Sequence, residues 1–221
     1  MIDWGNEVKP RPHSGQVGLD TVLKDARRGN LAAVKAHLKR EPSLLLAKSG
    51  GHNRTFLWEA TRGNQRKVVE YLLAAGADPN VPGRIRSEVV VLLKPYCVAR
   101  HFGHNDLTGL LLEAGTVIDI YSACFLGDLK RVRRLLQANR SLLTEEQEDD
   151  SVWRVTPLHY ALAGGHQKVV RLLIDAGAPV RKYTRLLSNT AVRMNHPELL
   201  PVLLDAGADK QLLKQWAVRT V

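Results

Sequence analysis

One stretch of the chain carries closely spaced helix and turn signals and reads Thr156-Pro157-Leu158-His159-Tyr160-Ala161, then Gly165-His166, Val169-Val170, Leu172-Leu173 and Ala176-Gly177-Ala178. Thr156 is suited to cap a helix, and Pro157 suits the first helical turn, where a backbone N–H needs no partner. Gly165 permits the left-handed conformation that ends a helix. The apolar pairs that follow recur at helical spacing. The stretch therefore predicts two antiparallel helices joined by a tight turn.

Shorter copies of this stretch recur along the 221 residues. The tail Leu-Leu-x-Ala-Gly returns at 72–76, 111–115 and 203–207. The residues expected at the turn between the two helices of each copy are Gly29, Gly63, Gly103, Gly127, Gly165 and Asn195, with a mean spacing of about 33 residues. The intervals are uneven, which predicts an insertion at 81–93 and a short connection after Gly115.

The quoted stretch and its period resemble the ankyrin-repeat family over residues 18–210. The resemblance is strongest in the fifth copy, whereas residues 94–99 replace the opening motif in the third and 186–191 replace it in the sixth. It implies an all-α solenoid of about six helix-turn-helix repeats with short hairpin connections, stacked on one continuous core. We expect residues 1–17 to be an N-terminal tail and 211–221 to cap the last repeat.

Composition excludes several classes of protein. No run approaches the 18 to 20 apolar residues of a membrane span, and the two cysteines are too few for a disulfide framework. The first nine residues lack the apolar core of a signal peptide. We therefore expect a monomeric, cytoplasmic protein. Its net charge of +10 favours acidic partners, nucleic acid included.

The sequence carries no recognisable motif for catalysis or for a cofactor, and we predict no catalytic, cofactor-binding or metal-binding residue. Cys97, His101 and His104 form the one grouping that resembles a metal site, but it lacks a further ligand. The resemblance gives His159 a role in hydrogen bonds between neighbouring repeats. The acidic run at 145–150 reads as a solvated loop, or as a loop that folds over a basic face and shields it.

The resemblance places partner binding on the concave side, at the hairpin tips and at the residues just before each turn. Large aromatic side chains with arginines are the usual composition of interface hot spots. The candidate partner-binding residues chosen on this basis are Arg62, Arg86, His101, Phe102, Phe125, Trp153, Arg154, Tyr183, Arg185 and Arg193. The leading hypothesis is a non-enzymatic protein–protein interaction module that binds an acidic partner through this groove. Two alternatives stay open: an enzyme with a site grafted onto the groove, and a nucleic-acid-associated factor that uses the basic surface.

Overall fold

The computed structural model describes residues 19–85, 91–147 and 154–217, with side chains as far as residue 213. Within these ranges the predicted all-α solenoid is confirmed. Six helix pairs, here called repeats one to six, follow one another: α1 (Leu19–Arg28) with α2 (Leu31–Arg40), α3 (Phe56–Arg62) with α4 (Arg66–Ala74), α5 (Pro95–His101) with α6 (Asn105–Glu113), α7 (Ile120–Leu126) with α8 (Leu129–Ala138), α9 (Pro157–Ala163) with α10 (Gln167–Asp175), and α11 (Thr184–Arg193) with α12 (Leu200–Asp205). A last helix, α13 (Lys210–Ala217), packs against α11 and buries Leu213. The expected tail at 1–17 lies outside the described residues.

The helices stack in two layers. The inner layer contains the first helix of every repeat, and each of these contacts the first helix of the next repeat from α1 through α11. The outer layer contains the second helices, of which α2 and α4, α4 and α6, and α8 and α10 are in contact. Tight 3-10 turns follow α2, α8 and α10 and precede α12, at Pro42–Leu45, Arg140–Leu143, Arg181–Tyr183 and Pro197–Leu199.

The turns between paired helices use two different devices. Gly165 has φ +73°, the left-handed conformation that the sequence predicted for it. In repeat two the left-handed residue is Asn64, with φ 55°, and Gly63 before it has φ −81°. Position 63 requires a glycine for a steric reason, because a Cβ there would lie 2.0 Å from the carbonyl oxygen of Arg27 in repeat one.

Two short strands of the insertion at 81–93, β1 (Gly83–Arg84) and β2 (Leu92–Leu93), pair as an antiparallel ribbon. Within the described residues, the buried apolar side chains group into two clusters that adjoin each other. The clusters meet at α5, where Cys97 and Val98 belong to one and Ala99 to the other. Successive residues of a helix point about 100° apart, so one helix can serve two cores.

Candidate functional site

An exposed aromatic ring is held where repeats two and three meet. Phe102 follows the last residue of α5 and is 40% exposed. The guanidinium carbon of Arg62, at the end of α3, lies 5.9 Å from the centre of the Phe102 ring and 5.8 Å from that of buried Trp58. His101 meets Phe102 edge to face, with 4.8 Å between ring centroids. We call Arg62, His101 and Phe102 the turn patch; it presents a pre-positioned ring beside a cation.

Phe125 does not join this patch as an exposed ring, which corrects the sequence expectation. It is only 3% exposed and belongs to the hydrophobic core. The cause is the position of α7, which packs against α5 on one side and α9 on the other and so buries the apolar side chain between neighbours. Its centroid lies 5.7 Å from that of His101, so Phe125 supports the patch from within.

The inserted ribbon covers part of the inner-helix side, where the sequence analysis expected a partner to bind. Trp58 Nε1 donates to the Leu93 carbonyl at 2.8 Å, and the Tyr160 hydroxyl accepts the Leu92 N–H at 3.0 Å. Arg54 donates from Nε to the Arg84 carbonyl at 2.6 Å. Ile85, Val91, Leu92 and Leu93 are buried as a result. The ribbon is thus docked onto the solenoid, and Arg86 next to it lies outside the described residues.

A second group of polar residues converges at the loops before α9 and α11. Glu146 accepts hydrogen bonds from Tyr183 Oη, from Lys182 Nζ at 3.0 Å and from Arg154 Nη1 at 3.3 Å. Lys182 Nζ also lies 4.7 Å from the centre of the Tyr183 ring. We call Glu146, Arg154, Lys182 and Tyr183 the tip cluster. The predicted residue Trp153 adjoins it in sequence but lies outside the described residues.

The electrostatics of the tip cluster follow from these contacts. The hydrogen bond from Tyr183 lowers the pKa of Glu146 to about 2, with the bonds from Lys182 and Arg154 acting in the same direction. Burial raises the pKa of Tyr183, and its bond to the Glu146 carboxylate adds to the effect. Over the physiological pH range Glu146 therefore stays ionised and the phenol stays protonated, the states that these hydrogen bonds require.

The turn patch and the tip cluster lie at opposite ends of the inner helices. Phe102 follows the end of α5, whereas Tyr183 immediately precedes the start of α11. On α11 itself, Arg185 lies in the first turn and Arg193 is the last residue, and both are exposed. A seven-residue inner helix is about 10 Å long. Among the described residues, the exposed and half-buried ones that the sequence assigned to one groove therefore form two regions on the inner-helix side.

The histidines at the turns join neighbouring repeats. His104 Nε2 lies 3.2 Å from the Arg62 carbonyl oxygen, and His166 hydrogen-bonds the backbone of Phe125. His159 behaves differently from the expectation, because its Nδ1 accepts the N–H of Thr156 within its own repeat at 3.0 Å. Its Nε2 is buried without a hydrogen-bond partner. Burial lowers the pKa of His159 to about 3, so the ring is neutral in the fold.

Both cysteine thiols are buried. Burial raises the pKa of Cys97 to about 12 and also raises that of Cys124, so both remain thiols. His101 is exposed, whereas Cys97 is buried in the core, so the two side chains of the metal-like grouping diverge. In the part of the chain that the structure describes, no group of three His, Cys, Asp or Glu is placed to hold a metal ion.

A cavity of about 280 Å³ opens between repeats one and two, and its lining includes Ser49, His52 and Glu59. These are residue types that nucleophilic enzymes use together. Here Ser49 Oγ accepts the backbone N–H of Arg54 at 3.0 Å, and Glu59 Oε1 pairs with Arg54 Nη1 at 3.1 Å. Ser49 and Glu59 therefore both hold Arg54, which in turn holds the inserted ribbon.

Sequence reasoning missed Glu146 and Lys182 as members of a site. The signal was present in the repeat period, because Glu146 and Lys182 are 36 residues apart, close to one repeat. Residues one period apart occupy equivalent positions in adjacent loops. The spacing therefore places Glu146, in the described part of the acidic run, near the basic stretch Arg181-Lys182 of the next loop.

Comparison with known proteins agrees with this architecture. A family model described as ankyrin repeats (3 copies) matches residues 120–213, and another described as ankyrin repeat matches residues 52–84. The two matches cover repeat two, residues 81–84 of the insertion, and repeats four to six. No curated protein matches the chain significantly. Among the described residues, no helix is long and apolar enough to cross a membrane.

Proposed function

Because the chain belongs to the ankyrin-repeat family, whose members are generally protein–protein interaction modules and typically non-enzymatic, we propose that it binds an acidic protein partner through its inner-helix side. The observation that carries the proposal is the turn patch. Phe102 exposes a large ring that neighbouring side chains of two repeats hold in place. A rigid ring loses little conformational freedom on binding, so its burial by a partner contributes to affinity.

The acidic character of the partner follows from charge. The chain carries 32 Lys and Arg against 22 Asp and Glu. On the inner-helix side, Lys182, Arg185 and Arg193 are exposed and Arg62 is half-buried beside Phe102. Cations at the rim of an interface accelerate encounter with an acidic protein, and the buried ring then slows its release.

The test compares two exposed apolar residues of the same repeat. Affinity capture from a native lysate on the immobilised wild-type chain supplies the partner. Phe102→Ala should weaken the binding of this captured partner by about 2 kcal/mol or more, chiefly through a faster off-rate. Leu112→Ala is the matched control, because Leu112 is 45% exposed on outer helix α6. Isothermal titration calorimetry measures both affinities, and circular dichroism checks that both variants keep the fold. Equal affinities for the two variants would contradict the proposal.

A second candidate, binding of a nucleic-acid backbone, is favoured by the outer helices. Lys130, Arg133 and Arg134 are exposed on α8, and Lys168 and Arg171 are exposed on the neighbouring α10. Such a surface attracts polyanions with strong salt dependence. Duplex DNA that binds with a steep salt slope, and more weakly to Arg133→Ala, would favour this candidate over the protein partner.

A further inference from the structure

Three hydrogen-bond donors from two different loops surround a single carboxylate in the tip cluster. Arg154 comes from the loop before α9, and Lys182 and Tyr183 come from the 3-10 turn before α11. Glu146, which they hold, belongs to the loop after the 3-10 turn Arg140–Leu143. A charged ammonium, a charged guanidinium and a neutral phenol are donors that suit a carboxylate, which only accepts hydrogen bonds.

The donors Lys182 and Tyr183 are positioned independently of Glu146. Val180 before them is buried in the core, and the Thr184 hydroxyl after them donates to the Arg181 carbonyl at 3.1 Å. The Tyr183 ring also packs edge to face on His159, with 5.6 Å between centroids. The two donors would therefore keep their places if the Glu146 carboxylate withdrew.

The contacts to Glu146 are open to exchange. The side chains of Arg154 and Lys182 are 63% and 64% exposed, and that of Glu146 is 20% exposed. Exposed ion pairs contribute little to stability, since water replaces the lost interactions. A carboxylate from another molecule could take the same hydrogen bonds at little net cost.

We propose that Arg154, Lys182 and Tyr183 form a binding site for a Glu or Asp side chain of the partner, and that Glu146 occupies this site in the unbound protein. The inference rests on the proposed function, since it adds a specific carboxylate contact to an acidic partner. Glu146 then lowers the apparent affinity, because only the fraction of molecules with the site open can bind. The turn patch supplies apolar contact and the tip cluster supplies recognition of an acidic side chain.

Removal of Glu146 provides the test. Binding of a fluorescent hexaglutamate peptide is measured by anisotropy, at low and at moderate salt, for wild type and Glu146→Ala. We expect Glu146→Ala to bind the peptide about five-fold tighter, because the Glu146 carboxylate no longer competes with the peptide for the three donors. Glu198→Ala removes the same charge from an exposed residue outside the tip cluster, where Glu198 pairs with His196 at 3.2 Å, and we expect it to change affinity less than two-fold.

A triple variant separates the site from a general charge effect. Adding Lys182→Ala and Tyr183→Phe to Glu146→Ala should abolish the gain. Unchanged binding in Glu146→Ala, or an equal gain in Glu198→Ala, would overturn the inference, as would a gain that survives loss of Lys182 and Tyr183. Absence of peptide binding to both wild type and Glu146→Ala would also overturn it. None of these outcomes bears on the Phe102→Ala experiment, so the proposed function is tested separately.

Discussion

Substitution of Gly165 by alanine tests how strongly adjacent repeats are coupled through their turns. Gly165 has φ +73°, which L-residues rarely adopt. A Cβ at this position would also lie 2.2 Å from a ring carbon of His196 in repeat six. Gly165→Ala therefore destabilises the fold in two ways, through strain in its own backbone and through a steric clash with His196 of the next repeat. Gly103 is the matched control, since it occupies the same turn in repeat three with φ +75° and a Cβ there would meet no atom within 4 Å.

The magnitudes follow from these two terms. A left-handed alanine costs about 1–2 kcal/mol, and both variants bear this cost. In Gly165→Ala the His196 ring must also move away from the new Cβ. This movement adds about 1 kcal/mol, which is at the low end of the cost of overpacking because only a side chain moves. We therefore expect Gly165→Ala to destabilise the fold by about 1 kcal/mol more than Gly103→Ala.

Urea unfolding measures the difference, provided that the slope of the transition is the same in all variants. Adding His196→Ala removes the obstructing ring, so in that background Gly165→Ala should cost no more than Gly103→Ala does. If Gly165→Ala and Gly103→Ala are equally destabilising in the wild-type background, the turn contact between repeats five and six does not contribute as argued.

Two further predictions concern the core. Tyr160→Phe leaves the buried N–H of Leu92 without its acceptor and should lower the free energy of unfolding by about 1–3 kcal/mol. Tyr71 is half-buried, and Tyr71→Phe should change the free energy of unfolding by less than about 0.5 kcal/mol. Equal effects of the two substitutions would mean that Tyr160 does not anchor the ribbon. Burial lowers the pKa of His159 from 6.5 to about 3. As the pH falls below 6.5, the His159 ring is therefore protonated in the unfolded chain but not in the folded protein. The free energy of unfolding should decline by about 1.4 kcal/mol per pH unit until the pH nears 3. Urea midpoints across this range check the decline, and a slope no shallower in His159→Gln than in wild type would assign it to other groups.

The repeat period was sufficient to predict the helices, because each turn carries a local signal. Gly165, Asn195 and the cap at Thr156 act within a few residues of chain, and the structure has all three as the sequence indicates. Gly63 was identified as a turn residue for the wrong reason. Its need for space arises from a carbonyl of the preceding repeat, a contact that no local pattern encodes.

The exposure of individual site residues could not be predicted in the same way. Phe102 and Phe125 both stand near the end of an inner helix, yet one is exposed and the other buried. The difference depends on how the neighbouring helices pack, which the spacing of residues within one repeat does not fix. The docking of the inserted ribbon on Trp58 and Tyr160 depends likewise on contacts across several repeats.

Hydrogen–deuterium exchange of the complex with the captured partner locates the binding surface on the inner or the outer helices. We expect binding to slow exchange at the ends of α3 and α5, around Arg62 and Phe102, and in the 3-10 turn Arg181–Tyr183, while α8 and α10 exchange as in the free protein. Slowed exchange confined to α8 and α10, with no change at the ends of α3 and α5, would contradict binding on the inner-helix side and place the partner on the outer helices.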